Sequence, residues 1–202
     1  MLLAALLLVA CGGQGAPEAG PDDVFREFAQ AAAEQDGDRL WSLTSSRVKA
    51  RISEEEFTAR SVLRHLRDDY ASVAAGRTAL DVGLGEKSSL VALAAKGPGP
   101  GAQAAILRLE EGNWRVQLTE LDLGFGTGER DFTVNARSED RRSIVARGWI
   151  DGQEVLVKRV KETFAPTFRV VSKNQLAPGR HTAVAYVEAG EQSGAMAWTF
   201  ER

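Results

Sequence analysis

The spacing of apolar residues changes once along this chain, and that change constrains the fold more than any other feature. Up to about Val73 the apolar side chains recur at three- and four-residue intervals, which is the period of an amphipathic helix. From Leu80 onward they alternate with polar residues over short runs, which is the period of a β-strand. The sequence therefore predicts a helical segment followed by β-structure throughout the rest of the chain.

Three helices are predicted in the first segment. Pro21 and the acidic residues that follow it are typical of a first helical turn. A short second helix is predicted over Arg39–Leu43. Ser53 and Glu56 have the spacing of a capping box, which begins a long third helix that runs to about Val73.

Four short strands follow these helices. They are predicted around Leu80–Leu84, Ser88–Ala95, Ala105–Leu109 and Trp114–Leu118. Because the connections between them are short, we expect an antiparallel meander with one face buried against the helices. Residues 22–123 are thus predicted to form an α+β domain.

The second half of the chain has no helical period. Residues 124–128 are rich in glycine and are predicted to be a linker. In residues 129–202, six or seven short alternating runs separated by turn residues are typical of an antiparallel β-sandwich. Asp151 and Gly152 predict a tight hairpin turn within it.

Two stretches of the first half resemble a known superfamily. Ala31–Trp41 and Leu107–Val116 are similar to turn-and-core signatures of nuclear-transport-factor-2-like domains, the cone-shaped α+β fold that includes ketosteroid isomerases. The resemblance implies an α+β cone with three helices, then a four-stranded antiparallel sheet. These signatures specify a fold better than a function.

The second half resembles bacterial immunoglobulin-like envelope domains. The similarity lies in Val145–Gly152, Leu176–Thr182 and the terminal run Trp198–Phe200. It implies an all-β immunoglobulin-like sandwich after the cone. His181 lies at a corner position where we expect it to make a local backbone hydrogen bond.

The N-terminal residues resemble a bacterial lipoprotein signal. The apolar run Leu2–Ala10 is too short to cross a bilayer but has the length of a signal-peptide core. Leu8-Val9-Ala10-Cys11 is similar to a lipobox, which implies cleavage of residues 1–10 and a lipid on the Cys11 sulfur. Residues 11–21 are predicted to be a flexible tether. A frayed apolar terminus with a free thiol is the alternative.

Charge and composition exclude several classes of partner. The formal net charge is −3 and the pI is about 5.6, so the chain lacks the basic footprint of a nucleic-acid-binding protein. One cysteine and two histidines offer no clustered ligand set, and we expect neither a metal nor another cofactor.

Three aromatic residues are candidates for the lining of a pocket in the predicted cone. They are Trp41, Tyr70 and Trp114, although Tyr70 also fits a helical core stripe and the tryptophans equally suit core closure. Ketosteroid isomerases use a carboxylate base with a Tyr and protonated-Asp oxyanion hole. No such set can be matched here, since Asp81 alternates with apolar neighbours and is expected to face water. We predict no catalytic residue.

These observations favour a non-enzymatic lipoprotein of the bacterial cell envelope. It would be held outside the cytoplasm by a lipid on Cys11, with a small hydrophobic ligand or an envelope protein or polymer as its partner. Binding would use the cone pocket, the sandwich loops or both. The alternative is a cone-fold enzyme of the isomerase or dehydratase type with an appended spacer domain.

Overall fold

The computed structural model describes residues 19–96, 101–127, 132–137, 144–161, 167–171 and 176–202. Cys11 and most of the predicted tether lie outside these ranges. Within them the chain forms five helices, followed by eleven strands in two antiparallel sheets. The helices are α1 (Pro21–Glu34), α2 (Gly37–Leu43), α3 (Ser46–Lys49), α4 (Glu54–Phe57) and α5 (Arg60–Tyr70).

The predicted capping box is confirmed, but the long helix predicted after it is wrong. Ser53 Oγ accepts a hydrogen bond from the Glu56 amide at 3.2 Å, and the Glu56 carboxylate accepts one from the Ser53 amide at 2.9 Å. The helix nevertheless ends at Phe57, because Ala59 adopts a ψ of 138° that no α-helix continues. Phe57 thereby packs against Trp41, with 5.4 Å between the ring centroids.

The first sheet has four strands in sequence order and is buried on both faces. Its strands are β1 (Arg77–Gly85), β2 (Ser88–Ala94), β3 (Ala102–Glu110) and β4 (Asn113–Gln117). Val91, Leu93 and Leu107 pack against the helices, whereas Leu90 and Ile106 pack against the second sheet. The predicted burial of one face against the helices is confirmed. The other face is buried as well, and the nearly continuous apolar run of β2 reflects these two apolar contacts.

The second sheet has seven strands in the order β11-β10-β7-β8-β9-β6-β5. The strands are β5 (Asp122–Thr127), β6 (Phe132–Arg137), β7 (Ile144–Ile150), β8 (Gln153–Lys161), β9 (Thr167–Val171), β10 (Arg180–Ala189) and β11 (Gln192–Glu201). Phe132 on β6 contacts Phe200 on β11, with a centroid separation of 4.2 Å. Since these strands are far apart in the sheet order, the sheet must curl into a nearly closed barrel around that contact.

The predicted fold class, an α+β cone followed by an all-β immunoglobulin-like sandwich, is therefore wrong. The described chain is mostly β-structure, with five helices rather than three and one curled sheet in place of two facing sheets. Apolar and polar residues alternate in the same way along the strands of a sandwich and of a barrel, because every strand in either fold has one interior and one exterior face. The sequence pattern therefore does not distinguish the two folds. Residues 124–127, part of the predicted linker, lie in β5.

The two sheets pack on each other through an apolar layer. Trp149, Val184 and Tyr186 on the outer surface of the barrel meet Leu90 and Ile106 of the first sheet. Apolar surface is thus buried on both sides of the barrel wall, which explains why seven consecutive residues of β10 are buried. The helices, the first sheet and the barrel consequently form successive layers.

A buried carboxylate links the layers at one edge. The Glu120 side chain is only 4% exposed and lies 2.7 Å from the Arg47 guanidinium and 2.8 Å from that of Arg51. Its backbone amide donates to the Ser193 carbonyl at 3.1 Å. Helix α3, the segment between β4 and β5, and the start of β11 are thereby joined.

Candidate functional site

A polar cleft of about 420 Å³ opens between α3 and the β3–β4 hairpin. Its lining combines charged side chains with neutral hydrogen-bonding groups. The lining residues are Thr44, Ser46, Lys49, Glu110, Glu111, Asn113 and Arg115.

One wall of the cleft is the tight turn between β3 and β4. Glu111 and Gly112 have φ values of 51° and 82°, so both lie in the left-handed region, as a two-residue type I′ turn requires. Glycine at the second position adopts this conformation without strain. The turn places Glu110 opposite Asn113 in the strand register, at the rim of the cleft.

The second wall is helix α3, which a carboxylate ties to the turn. Glu110 accepts hydrogen bonds from the Ser46 amide at 2.9 Å and from the Ser46 hydroxyl at 3.0 Å. The Ser45 amide donates to the Val116 carbonyl at 2.9 Å. Because both walls are fixed by these contacts, the cleft is preorganised for a ligand.

Two cations line this cleft together with the acidic turn. Lys49 lies 5.1 Å above the centre of the Trp41 ring, a cation–π distance. Arg115 faces Arg108 across the strand pair, and Arg108 donates to Gln117 at 2.8 Å. With Glu111 exposed on the turn, the cleft presents both charge signs to a ligand.

A smaller cleft of about 170 Å³ adjoins the first and shares Asn113 and Arg115 with it. Its other lining residues are Ala19, Val24, Glu27, Leu43 and Trp114. Trp114 supplies an aromatic wall. Ala19 directly precedes α1, so the start of this helix lies beside the two clefts.

The three aromatic residues predicted to line a pocket lie in different environments in the structure. Tyr70 is 7% exposed and meets Phe25 and Phe28 edge-on at 5.9 and 5.5 Å, and this burial raises the pKa of its phenol. Trp41 lies under Lys49, and Trp114 lines the smaller cleft. Only the tryptophans therefore lie near the polar clefts.

Sequence reasoning missed the polar residues of the site. Glu110 and Asn113 stand in a stretch interpreted only as a turn, and Lys49 belongs to a helix too short to show a period. Ser46 and Glu110 are 64 positions apart. The predicted turn between β3 and β4 could have indicated this site, because loops supported by rigid strands often carry binding residues.

Other polar candidates behave as structural groups. Asp81 is exposed, as predicted, and accepts a hydrogen bond from Ser89 Oγ at 2.9 Å. Within the described ranges, no group of three or more His, Cys, Asp or Glu side chains is placed to hold a metal ion. None of the helices described there is long and apolar enough to cross a membrane.

Comparison with known proteins adds no relative to these observations. No protein-family model matches the sequence, and a search of curated proteins gives no significant match. The similarities to nuclear-transport-factor-2-like and immunoglobulin-like domains therefore stay predictions from the sequence.

Proposed function

We propose that this protein is a non-enzymatic lipoprotein of the bacterial envelope that binds a cell-wall polymer through its polar clefts. The observation that carries the proposal is the preorganised cleft between α3 and the β3–β4 turn, where Glu110 fixes Ser46. The lipid on Cys11 holds the body outside the cytoplasm, and the clefts engage the polymer.

Anchoring is supported by the order of segments at the N-terminal end. An apolar run ends at Cys11, a glycine- and proline-rich stretch follows, and the first helix begins at Pro21. For the predicted tether, a glycine-rich composition over about eight residues corresponds to an average span of about 16 Å. Because Ala19 lines the smaller cleft, the binding surface lies close to the anchoring membrane.

Binding rather than catalysis is supported by the packing between the helices and the first sheet. An isomerase of the ketosteroid type needs a carboxylate base and an acid donor around a substrate cavity. In this protein Phe25, Phe28 and Leu40 are fully buried there and Tyr70 packs against the two phenylalanines. Apolar packing between the helices and the first sheet therefore favours a binding protein over an enzyme of this type.

The lining of the clefts favours a polar polymer over a small hydrophobic ligand. Thr44, Ser46 and Asn113 provide neutral hydrogen-bonding groups, and Lys49 and Arg115 provide positive charge. Trp114 adds an aromatic face in the adjoining cleft. A polymer with hydroxyl, carboxylate and amino groups satisfies this set, since polar groups buried at an interface require partners.

Charge reversal in the cleft is expected to abolish sedimentation of the protein with purified cell-wall material. We expect the full chain with Cys11→Ser, which removes the anchor, to co-sediment at moderate salt. Adding Lys49→Glu and Arg115→Glu places negative charge where the polymer's carboxylates bind, so binding should fall at least tenfold. The bound fraction is measured in the pellet.

A matched control separates cleft recognition from general electrostatic attraction. Lys158 and Arg159 are exposed on β8 of the barrel, and reversing both charges changes the net charge by the same amount. This control should sediment like the unreversed chain. Equal loss in both double variants, or no sedimentation of the Cys11→Ser chain, would contradict the proposed binding site.

A further inference from the structure

His181 contacts hydrogen-bond acceptors with both nitrogens of its imidazole ring. Nδ1 lies 2.5 Å from Asp151 Oδ2, and Nε2 lies 2.7 Å from the Ala177 carbonyl oxygen. The side chain is 9% exposed and its ring stacks on Phe200, with 5.3 Å between centroids. The imidazole is therefore enclosed on three sides at one end of the barrel.

The hydrogen-bonding chemistry of these two partners determines the protonation state of the His181 ring. A carbonyl oxygen only accepts, so Nε2 must carry a proton. In a neutral imidazole the lone pair of Nδ1 would then face a carboxylate oxygen. Asp151 Oδ1 accepts a hydrogen bond from the Thr182 amide at 2.9 Å, so both oxygens of this carboxylate are placed as acceptors. Both contacts are satisfied together only by the imidazolium.

The hydrogen bonds of the imidazolium join two chain segments, and the second of these is bonded to a third. Asp151 lies in the β7–β8 turn at a φ of 50°, and Ala177 lies in the segment that precedes β10. Gly179 in that segment exchanges two backbone hydrogen bonds with Arg202 after β11, at 2.8 and 2.9 Å. One proton on His181 thus helps to hold this end of the barrel closed.

We propose that His181 is a pH-dependent latch, whose imidazolium closes the barrel end by bridging Asp151 and the Ala177 carbonyl and whose deprotonation releases segment 176–179. Loss of either N–H leaves two acceptors facing each other. One of the two contacts must then open, and whichever opens, the bridge between the β7–β8 turn and segment 176–179 is broken.

The surrounding charges agree with this role. Burial disfavours the charged ring and Arg202 also lowers its pKa, but the hydrogen bonds to Asp151 and Ala177 and the charge of Asp151 outweigh them, so the pKa of His181 is raised. From β11, Phe200 contributes only an aromatic face. Because the folded-state pKa exceeds the ordinary value of about 6.5, the latch stabilises fully below that pH and weakens as pH rises through the raised pKa.

Nuclear magnetic resonance of the full chain tests the latch. His65→Gln leaves a single imidazole signal, whose titration midpoint we expect to lie above the ordinary value of about 6.5. Amide exchange at Gly179 and Thr182, corrected for its intrinsic pH dependence, should accelerate with the same midpoint as the imidazole titration. A midpoint at or below the ordinary value, or amide exchange whose rate does not change with the imidazole titration, would overturn the proposal.

Two variants distinguish a pH-dependent latch from a histidine with only a structural role. They are expected to move the titration midpoint of His181 in opposite directions. Asp151→Asn removes the carboxylate, so the His181 midpoint should fall by about one pH unit. Arg202→Gln removes an exposed positive charge and should raise it. In each variant the onset of fast exchange should shift with the midpoint, and an onset that stays fixed while the midpoint moves would refute the latch. If Asp151→Asn unfolds, the Arg202→Gln comparison still decides the outcome.

Discussion

Gly76→Ala is expected to destabilise the protein by about 3 kcal/mol, the upper part of the range for overpacked sites. Gly76 is buried just before β1. A Cβ built there would lie 2.7 Å from the Val73 carbonyl oxygen and closer still to that of Ala94. Both atoms are backbone and cannot rotate away, so the start of β1 would have to separate from β2.

The contacts of Gly76 explain why a separation of β1 from β2 would also affect neighbouring parts of the fold. Its amide donates to the Val73 carbonyl at 2.8 Å, and its carbonyl accepts from the Arg26 guanidinium at 2.6 Å. The same guanidinium donates to the Thr78 hydroxyl at 2.8 Å. Displacing Gly76 therefore disturbs the contact between α1 and the first sheet.

Gly83 in β1 provides the matched control. It is exposed, and a Cβ there meets no atom within 4 Å. Gly83→Ala should leave the free energy of unfolding unchanged or raise it by about 0.5 kcal/mol, because alanine restricts the unfolded chain more. Urea unfolding of both variants measures the difference. Similar midpoints would show that the predicted clash does not exist.

Glu120→Ala is expected to destabilise the protein by about 3 kcal/mol, the scale for breaking a buried ion pair. The carboxylate is nearly inaccessible and lies against Arg47 and Arg51. Its removal also leaves the Gln117 side-chain amide without the contact to Glu120 at 3.2 Å. Since Arg51 is half exposed, part of the lost interaction is recovered by hydration.

This variant should also change how the molecule unfolds. The Glu120 carboxylate joins the helix-covered first sheet to the start of β11 in the barrel, through the Arg47 pair and the hydrogen bond that it accepts from the Ser193 amide at 3.4 Å. Without it we expect calorimetry to show a broader transition, because the two layers are coupled less strongly.

A surface ion pair is the control for Glu120. Glu154 pairs with Arg147 at 2.9 Å, but its side chain is 53% exposed, so Glu154→Ala should destabilise by less than 1 kcal/mol. Thermal unfolding of both variants shows whether the loss of stability in Glu120→Ala comes from the burial of its ion pair or from charge pairing alone. If the two substitutions have equal effects, the Glu120 contacts do not hold the layers together.

Local signals in the sequence predicted local structure well. The hairpin turn at Asp151 and Gly152 and the capping box at Ser53 depend on residues close in sequence, and both are present. The break at Ala59 was not predictable from spacing, because the apolar period continues across it. Packing of Phe57 against Trp41 accompanies that break.

Features that depend on residues far apart in the sequence were harder to predict. The apolar run of β2 carried a signal for burial on both faces, but nothing local indicates that seven strands curl into one barrel. The cleft depends on a contact between Ser46 and Glu110, and the latch on one between His181 and Asp151. The backbone hydrogen bond predicted for His181 is present at Ala177, whereas its carboxylate partner lies 30 positions away.

The central claim is that a lipid on Cys11 holds this folded body at a membrane surface. Intact-mass and peptide mass spectrometry of protein extracted from the membrane fraction of expressing bacteria tests it most directly. The account predicts a mature chain that begins at Cys11 and carries the added mass of a diacylglycerol group on that residue. A chain that begins at Met1, with Cys11 unmodified, would contradict it.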